Sequence, residues 1–204
     1  MELNGKNVII TGASRGIGKA VALRLAQEGA NIVIAARDQK TLDEAVAEIK
    51  KQATVKIIGV STDVSKLDDL KKLHATAVAK LGEIDVLINN AGVSSQYPFD
   101  QQPLEDIERL VHTNYLGYVR LIRLVIPAMI ARKQGAIINM VSGSTLVDPV
   151  PRTFVTYSSI KVGLRAFLKG LFWEMRDHGI KITSILPGVV DTDLTDKLEN
   201  IAQE

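Results

Sequence analysis

The chain has 204 residues, of which 46% are apolar, and it carries a formal net charge of +2. This length suits one α/β domain with a sizeable core over residues 1–204, and the apolar content excludes a disordered chain. The near-neutral charge offers no basic footprint for nucleic acid, and the absence of cysteine excludes disulfides, thiolate metal sites and cysteine catalysis.

The N-terminus and the histidines bear on the location of the protein and on its metal content. The N-terminus enters the first predicted strand directly, which leaves no room for a signal peptide, and no apolar stretch reaches the ~18 residues of a membrane span. We therefore expect a cytoplasmic protein without a membrane span, which the lack of cysteine also fits. His74, His112 and His178 are widely spaced, so we expect no metal site.

The first predicted element is a buried strand over residues 8–10, which runs into a glycine turn and then a helix. The turn has the spacing Gly12-x-x-x-Gly16-x-Gly18, a variant of the dinucleotide fingerprint. Gly12 permits a sharp turn, while Gly16 and Gly18 let the backbone approach a pyrophosphate at the helix N-terminus. This context predicts a dinucleotide site, and a glycine-rich loop that binds no ligand is the alternative.

The second predicted strand, over residues 32–36, is followed by Arg37, nineteen residues after Gly18. An NAD site usually has an acidic side chain near this position, which binds the ribose 2′-hydroxyl. Arg37 and Arg15 instead suit a 2′-phosphate, which guanidinium groups bind through charge-assisted hydrogen bonds. The sequence therefore favours NADP(H) over NAD(H), although Asp38 could serve a ribose hydroxyl or simply pair with Arg37 at the surface.

Strands and helices continue to alternate along the rest of the chain. We predict helices over 41–52, 67–81, 104–132 (bent near Pro127) and 157–178, and strands over 55–60, 85–89, 136–141 and 180–186. This alternation predicts right-handed crossovers and a Rossmann-type, doubly wound parallel sheet with helices on both faces. With the strand order 3-2-1-4-5-6, the ligand would lie at the carboxyl ends of the strands.

Tyr157 and Lys161 are four residues apart in a predicted helix, so their side chains share one face. An ammonium group favours the phenolate, so we expect Lys161 to lower the pKa of the tyrosine from ~10 towards neutrality. Tyr157 would then exchange a proton with a carbonyl or an alcohol at physiological pH. Taken alone, the pair is more simply interpreted as a half-buried tyrosine beside a solvated lysine. The other motifs of the chain favour a catalytic pair instead.

Together these features, in their order along nearly the whole chain, resemble the short-chain dehydrogenase/reductase family. The glycine turn is similar to the cofactor loop of the family, and further segments match its motifs: Asp63-Val64, Asn89-Asn90-Ala91-Gly92, Asn114 in Thr113-Asn114-Tyr115, and Pro187-Gly188 with Thr192. Ser142 ends the fifth predicted strand, as the catalytic serine of the family does. The resemblance implies a catalytic set of Asn114, Ser142, Tyr157 and Lys161.

The resemblance also implies which residues hold the cofactor. Those positions are Gly12, Ser14, Arg15, Gly16, Ile17, Gly18, Arg37, Asp63, Val64, Asn90, Ala91, Gly92, Tyr157, Lys161, Pro187, Gly188, Val190 and Thr192. Among them, Asp63 and Val64 would contact the adenine, and the segment from Pro187 to Thr192 would embrace the nicotinamide.

The chemistry implied by the resemblance is hydride transfer between the nicotinamide of NADP(H) and a carbonyl carbon. Tyr157 would supply the proton while Ser142 fixes the carbonyl oxygen. Lys161 would bind the nicotinamide ribose and stabilise the tyrosinate, and Asn114 would hold a water that links Lys161 to solvent. We expect an NADP(H)-dependent carbonyl reductase or alcohol dehydrogenase, and the alternative is a catalytically silent nucleotide sensor or scaffold.

Two features depart from the family pattern. The serine of the family usually stands thirteen residues before the tyrosine, whereas Ser142 stands fifteen before Tyr157, and Ser144 stands thirteen before it. We favour Ser142, with an enlarged loop over 143–156, and keep Ser144 in reserve. The chain also stops at Glu204, where most relatives continue through a further helix and a seventh strand. We therefore expect six strands, in a natural short form or in a sequence that lacks a tail.

The substrate walls are expected from residues 93–98, from 143–156 and from Val189 onward, segments that vary freely in the family. The expected entrance carries Pro149, Val150, Pro151 and Phe154. These side chains indicate an apolar pocket, which suits a lipid-like, steroid-like or aromatic ketone. A 3-oxoacyl thioester is a competing substrate within the same mechanism.

The last helix is expected to make subunit contacts. Members of the family commonly pair through their two long helices, and we expect Leu168, Leu171 and Phe172 to be exposed on this helix. Trp173 beside them is expected to make packing or subunit contacts rather than a substrate site. This pattern favours a homodimer over a tetramer, because the other usual interface of the family uses the final strand.

Overall fold

Six parallel strands form one sheet at the centre of the molecule, as the alternating pattern predicts. The strands are β1 (Asn7–Thr11), β2 (Asn31–Ala36), β3 (Ile57–Ser61), β4 (Val86–Asn89), β5 (Gly135–Met140) and β6 (Ile180–Ile185). Their order is β3-β2-β1-β4-β5-β6, and each neighbouring pair is parallel. The predicted Rossmann-type sheet is therefore confirmed in this computed structural model, which describes residues 2–150, 152–188 and 190.

Helices connect successive strands and lie on both faces of the sheet. They are α1 (Gly16–Gln27), α2 (Gln39–Lys50), α3 (Leu67–Leu81), α4 (Leu104–Val111), α5 (Gly117–Arg132) and α6 (Val155–Arg176). Short 3₁₀ turns occupy Phe99–Gln101, Gly143–Leu146 and Arg152–Phe154. The connections after β4 and β5 are therefore the irregular ones, and both lie beside the carboxyl ends of the strands.

Both faces of the sheet are covered, so apolar side chains fill both sides of each central strand. Successive side chains of β1 point to opposite faces. Val8 and Ile10 pack with Leu42 of α2, whereas Ile9 packs with Leu121 of α5. This two-sided core holds the strands in register and leaves their carboxyl ends as the place where functional side chains can gather.

Helix α2 begins two residues before its predicted start. The side chain of Asp38 accepts a hydrogen bond from the backbone N–H of Thr41 at 2.8 Å and so caps the helix. Capping side chains precede the first apolar position of a helix. Apolar periodicity alone therefore places this boundary too late.

The predicted helix over 104–132 is interrupted by a π turn, His112–Leu116, between α4 and α5. Helix α5 continues through Pro127, so this change of helical geometry lies well before the proline. A π turn inserts one extra residue into a helix and is frequent at functional sites. Asn114, one of the predicted catalytic residues, lies in this turn.

The same stretch, Leu104–Arg132, is the one membrane-span candidate by length and apolar composition in the described part of the chain. Its side chains Tyr118, Leu121 and Met129 are buried in the core beside the sheet. Core helices of globular domains pass the same test, so this stretch is weak evidence for a span.

The predicted exposure of α6 is wrong at Leu168. This side chain is only 1% exposed and joins Leu164 in the core, while Leu171 packs against that core. Leu164 and Leu168 share one helical face because they are four residues apart, and that face meets the sheet. The exposed apolar side chains of α6 are instead Val155, Val162, Phe172 and Trp173.

Candidate active site

A cleft of about 580 Å³ opens at the carboxyl ends of β1, β2 and β4. The strand order reverses there, because β2 and β4 lie on opposite sides of β1. Ligands of doubly wound sheets bind at this switch point. The predicted cofactor residues that line the cleft are Gly12, Ser14, Arg15, Gly16, Ile17, Gly18, Arg37, Asp63, Val64, Asn90, Ala91 and Gly92. The structure thus brings together these widely separated positions.

The glycine turn, residues 11–18, packs directly against the end of β4. A Cβ on Gly12, whose φ is +65°, would lie 2.7 Å from Cα of Ala91, and one on Gly18 would lie 2.3 Å from the carbonyl oxygen of Gly12. The side-chain N–H of Asn90 donates to the carbonyl oxygens of Thr11 and Gly12 at 3.0 and 2.9 Å. The turn is therefore held where only glycine fits.

The first turn of α1 faces this cleft and suits an anion. Gly16 opens the helix, its N-cap residue Arg15 makes no side-chain cap hydrogen bond, and the first turn contains no acidic residue. Backbone N–H groups at a helix start, together with the helix dipole, attract phosphate. These features fit the pyrophosphate of a dinucleotide.

Two carboxylates near Arg37 are already engaged in local hydrogen bonds. The bond from the Thr41 backbone holds the pKa of Asp38 below its ordinary value. Burial alone would raise the pKa of Asp63, but hydrogen bonds from Ser65 and the charge of Arg37 lower it overall. The charge of Arg37 thus acts on Asp63, while the carboxylate of Asp38 is engaged by the first turn of α2.

Ser142 and Tyr157 meet on the other side of the β4 end, where the Ser142 hydroxyl is close enough to lower the pKa of the Tyr157 phenol. Ser142 follows β5, and its oxygen also accepts a hydrogen bond from the backbone N–H of Ser144 at 3.1 Å. The hydroxyl of Ser144 is buried without a hydrogen-bond partner among the described residues. The structure therefore places Ser142, and not Ser144, against the tyrosine.

Lys161 lies one helical turn beyond Tyr157 and is only 3% exposed. Its Nζ donates to the carbonyl oxygen of Met140 at 3.1 Å and lies 5.9 Å from the ring centroid of Tyr157. The hydroxyl of Tyr118 donates to the same carbonyl at 3.0 Å, and the Tyr118 ring centroid is 5.1 Å from Nζ. We call Ser142, Tyr157 and Lys161 the catalytic corner.

The predicted lowering of the Tyr157 pKa is wrong. Burial raises the pKa of Tyr157, and the hydrogen bond with Ser142 offsets only part of that rise. Burial also lowers the pKa of Lys161 to about 7, so its ammonium form is only partly populated at neutral pH. Desolvation disfavours both charged forms, and it outweighs the attraction that the spacing of the two residues suggests.

Asn114 connects the π turn to the segment after β4. Its side chain donates to the carbonyl oxygen of Val93 at 2.8 Å and accepts from the Val93 N–H at 3.1 Å. The residue is fully buried, and the ring of its neighbour Tyr115 packs edge-on against Phe167 of α6 at 6.3 Å. Asn114 therefore fixes the backbone between the cleft and α6.

Pro187 and Gly188, two further predicted positions, lie beside the catalytic corner rather than in the cleft. The Pro187 carbonyl accepts from the Gly143 N–H at 2.7 Å, next to Ser142. The cleft lining lacks five of the predicted cofactor residues that the structure describes: Tyr157, Lys161, Pro187, Gly188 and Val190. Thr192, like the proposed wall residues Pro151 and Val189, lies outside the described residues.

Sequence reasoning missed several residues of the site. Thr41, Thr62, Arg109 and Thr113 also line the cleft. Arg109 and Thr113 are four residues apart and precede Asn114, so helical spacing could have identified them. Tyr118 beside Lys161 gave no comparable signal, because a single tyrosine in an apolar helix is usually a core residue. In the described chain, no group of three or more acidic or histidine side chains could hold a metal ion.

A doubly wound sheet with a phosphate-binding turn at its switch point, beside a serine, a tyrosine and a buried lysine, defines a dinucleotide-dependent oxidoreductase. The family model of the short chain dehydrogenases matches residues 6–202. The chain belongs to this family, whose members use nicotinamide cofactors.

Curated proteins and solved structures of the family are similar to the chain over nearly its whole length. It is 32% identical to the 3-oxoacyl-[acyl-carrier-protein] reductase FabG of Staphylococcus epidermidis over 196 residues, which cover 96% of this chain and 79% of that protein. The structure of L-sorbose reductase from Gluconobacter frateurii with NADPH and L-sorbose has a TM-score of 0.90 and 32% identity, covering 100% of this chain and 78% of that one. The structure of a 7α-hydroxysteroid dehydrogenase with NADH and 7-oxo glycochenodeoxycholic acid has a TM-score of 0.89 and 28% identity. The match covers 98% of this chain and 76% of that one.

Proposed function

We propose that the protein is an NADP(H)-dependent reductase of carbonyl compounds, or dehydrogenase of secondary alcohols, in which Tyr157 is the general acid and base. The observation that supports this most is the placement of the Ser142 hydroxyl against Tyr157, beside the buried Lys161. A nucleotide sensor needs no such arrangement of a proton donor, an oxygen-binding hydroxyl and a buried cation. In this proposal the whole chain is one nucleotide-binding domain.

The residues of the cleft fit the adenosine and the pyrophosphate of a dinucleotide. The glycine turn and the first turn of α1 would bind the pyrophosphate, and Asp63, Val64 and the 90–92 segment would contact the adenosine. When bound, the cofactor supplies or accepts the hydride. The proposed arrangement continues to the nicotinamide at the catalytic corner, where Pro187 and Gly188 would contact it, with Val190 and Thr192 beyond them.

NADP(H) is the preferred cofactor because of the charges at the end of β2. Arg37 and Arg15 both line the cleft and suit a 2′-phosphate. Asp38, which could otherwise bind the ribose 2′-hydroxyl, is held as the cap of α2. Relatives of known structure include complexes with NADPH and with NADH. The preference for NADP(H) over NAD(H) therefore rests on the two arginines.

The proton chemistry follows from the burial of the catalytic corner. With its pKa raised by burial, Tyr157 is a neutral phenol at pH 7 and can donate its proton to the developing alkoxide oxygen. The hydroxyl of Ser142 would position that oxygen. The phenolate left behind would favour the ammonium form of Lys161, because opposite buried charges stabilise each other.

Asn114 is proposed to hold the water that returns a proton to this pair. Its side-chain oxygen and nitrogen are both used in bonds to Val93. The water would therefore be bound by a backbone group of the π turn, where the widened helix changes the hydrogen-bonding of its carbonyl groups.

The proposed substrate is an apolar carbonyl compound. The segments after β4 and β5 expose Phe99, Leu146 and Val147, with 65%, 65% and 49% of their surface accessible. A steroid-like or aromatic ketone and a 3-oxoacyl thioester both suit such walls, and the relatives include a 3-oxoacyl reductase and a steroid dehydrogenase. We also propose a cytoplasmic homodimer that pairs through the exposed face of α6.

Oxidation of NADPH, followed by absorbance with a panel of steroid, aromatic and 3-oxoacyl substrates, tests the proposal. We expect turnover of at least one apolar ketone, and its loss in Tyr157→Phe with NADPH binding retained. A wild-type protein that binds NADPH and turns over none of the panel would instead support a catalytically silent nucleotide sensor.

A further inference from the structure

A cluster of polar side chains joins the segment 94–102 to α4, outside the set of residues assigned above. The carboxylate of Asp106 in α4 is 13% exposed and lies at its centre. One of its oxygens accepts hydrogen bonds from the hydroxyl of Ser95 and, at 2.9 Å, from Nε2 of Gln102. The other accepts from Nε of Arg109 at 3.0 Å. One oxygen of the carboxylate thus holds this segment against α4, and the other is engaged within α4 itself.

These bonds keep Asp106 charged. Burial alone would raise the pKa of its carboxyl, but the hydrogen bonds from Ser95, Gln102 and Arg109 outweigh burial and lower that pKa below its ordinary value. An ionised carboxylate only accepts hydrogen bonds, so the nitrogen of the Gln102 amide must face Asp106. The amide oxygen of Gln102 therefore points the other way.

That amide oxygen accepts a hydrogen bond from the hydroxyl of Thr156, which directly precedes Tyr157. The two residues are 54 positions apart in the chain. A parallel link is made by the backbone, where the N–H of Tyr97 donates to the carbonyl oxygen of Thr153 at 3.2 Å. The segment after β4 is thus tied at two points to the start of α6.

The start of α6 depends on such outside links. Its N-cap residue Phe154 makes no side-chain cap hydrogen bond, and the first turn carries no acidic residue. An uncapped first turn opens locally more easily than the helix interior. Tyr157 lies in this first turn, so the position of its hydroxyl relative to Ser142 is sensitive to what holds Thr156.

We propose that Gln102 is a positioning residue, which links the substrate wall over 93–98 to Thr156 and so fixes Tyr157 relative to the substrate carbonyl. This inference rests on the proposed oxidoreductase function. A displacement of about 1 Å in a reacting group can lower a rate about 100-fold. A link between the substrate wall over 93–98 and Tyr157 would thus couple the position of the substrate to the position of the proton donor.

Paired variants test the link in the full-length protein. Gln102→Ala removes the bridge, and Thr156→Val removes the hydroxyl with little change in volume, whereas Thr156→Ser keeps the hydroxyl. Gln101→Ala is the matched control, because Gln101 is the exposed neighbour of Gln102. With NADPH and the ketone that the wild-type protein reduces fastest, we expect kcat to fall about tenfold or more in Gln102→Ala and Thr156→Val. Thr156→Ser should restore most of kcat.

Three further measurements separate positioning from general damage. The Kd of NADPH should stay within about twofold of wild type in every variant, since neither Gln102 nor Thr156 lines the cleft. The double variant Gln102→Ala/Thr156→Val should lose no more than the larger single loss, because both changes break one bond. Amide hydrogen exchange at Tyr97 and in the first turn of α6 should accelerate in Gln102→Ala and Thr156→Val, and not in Gln101→Ala.

The outcomes distinguish this inference from the function on which it rests. If the wild-type protein reduces no ketone, the proposed function fails, while the exchange data still show whether the link holds α6. If the wild-type protein is active and Gln102→Ala matches Gln101→Ala in kcat and exchange, the positioning role is overturned. A fall in kcat that Thr156→Ser shares with Thr156→Val, or that comes with weaker NADPH binding, overturns it as well.

Discussion

The nucleotide cleft and the catalytic corner are built in different ways. The cleft is formed by backbone at the ends of adjacent strands, where Gly12 and Gly18 allow contacts that a side chain would prevent. The corner is formed by polar side chains that follow β5 or lie in α6, namely the half-buried Ser142 and Tyr157 and the buried Lys161. Burial sets the charge states of Tyr157 and Lys161. Binding therefore depends on close backbone contact between segments, whereas the proposed chemistry depends on how far polar side chains are shielded from water.

The largest expected effect separates these two regions at Tyr157. Tyr157→Phe should lower turnover about 10²- to 10⁴-fold, because the phenol is the proposed proton donor, while the Kd of NADPH changes little. Steady-state kinetics measure the turnover, and fluorescence titration with NADPH measures the Kd. Tyr115→Phe removes a phenol hydroxyl from the nearby π turn and should keep normal turnover. Equal rates for the two variants would remove Tyr157 from the mechanism.

A second variant should affect the cleft and spare the corner. Arg37→Asp should weaken NADPH binding about 10- to 100-fold, because a charge-assisted contact with the 2′-phosphate is lost, and should leave NADH nearly unaffected. Titrations with both cofactors measure this difference. Lys40→Asp, an equal charge change at an exposed position of α2, is the control. If Arg37→Asp weakens both cofactors equally, the assignment of the phosphate site is wrong.

A third variant tests whether the cleft depends on close backbone contact. Gly18→Ala should lower the free energy of unfolding by about 1–3 kcal/mol, because the added Cβ would lie 2.3 Å from the Gly12 carbonyl oxygen. Gly163→Ala, at an open position of α6, should instead stabilise the protein by about 0.5–1 kcal/mol. Denaturant unfolding compares the two. Equal stability would mean that the glycine turn relaxes around a side chain.

A fourth expected effect is a pH dependence of stability that originates in the corner. Lys161 has a folded-state pKa of about 7 and an unfolded-state pKa of about 10.4, so between these values the unfolded chain binds the extra proton. Stability should therefore rise with pH from 7 to 10, by at most about 1.4 kcal/mol per pH unit. Lys161→Met should flatten that rise, and Lys169→Met, at an exposed position of α6, should not. If the free energy of unfolding rises equally with pH in wild type and in Lys161→Met, burial does not lower the pKa of this lysine.

The same contrast explains what the sequence could predict. Strand order and the glycine turn follow from apolar runs and glycine spacing, which are local patterns. The start of α2 was misplaced because Asp38 caps it from outside the periodic segment, and the π turn around Asn114 leaves no periodic signal. Leu168 was predicted to be exposed because the sequence alone does not fix which face of α6 meets the sheet.

The charge states in the corner could not be predicted for a related reason. The spacing of Tyr157 and Lys161 indicates attraction between a cation and a phenolate, but it carries no information on how much water reaches either group. Desolvation is a property of the assembled core, and here it moves both pKa values towards the neutral forms. Gln102 was missed because its partner Thr156 is 54 positions away in the chain and is recognisable only once the segments are packed.

The anchor of Lys161 has a consequence for how the site tolerates mutation. The carbonyl oxygen of Met140 accepts hydrogen bonds from both the Lys161 ammonium group and the Tyr118 hydroxyl. This acceptor belongs to the main chain and not to a side chain. Substitution at position 140 alters the volume packed beside the sheet and leaves that acceptor in place. The sequence at the end of β5 can therefore change while the main-chain acceptor for the Lys161 ammonium group is kept.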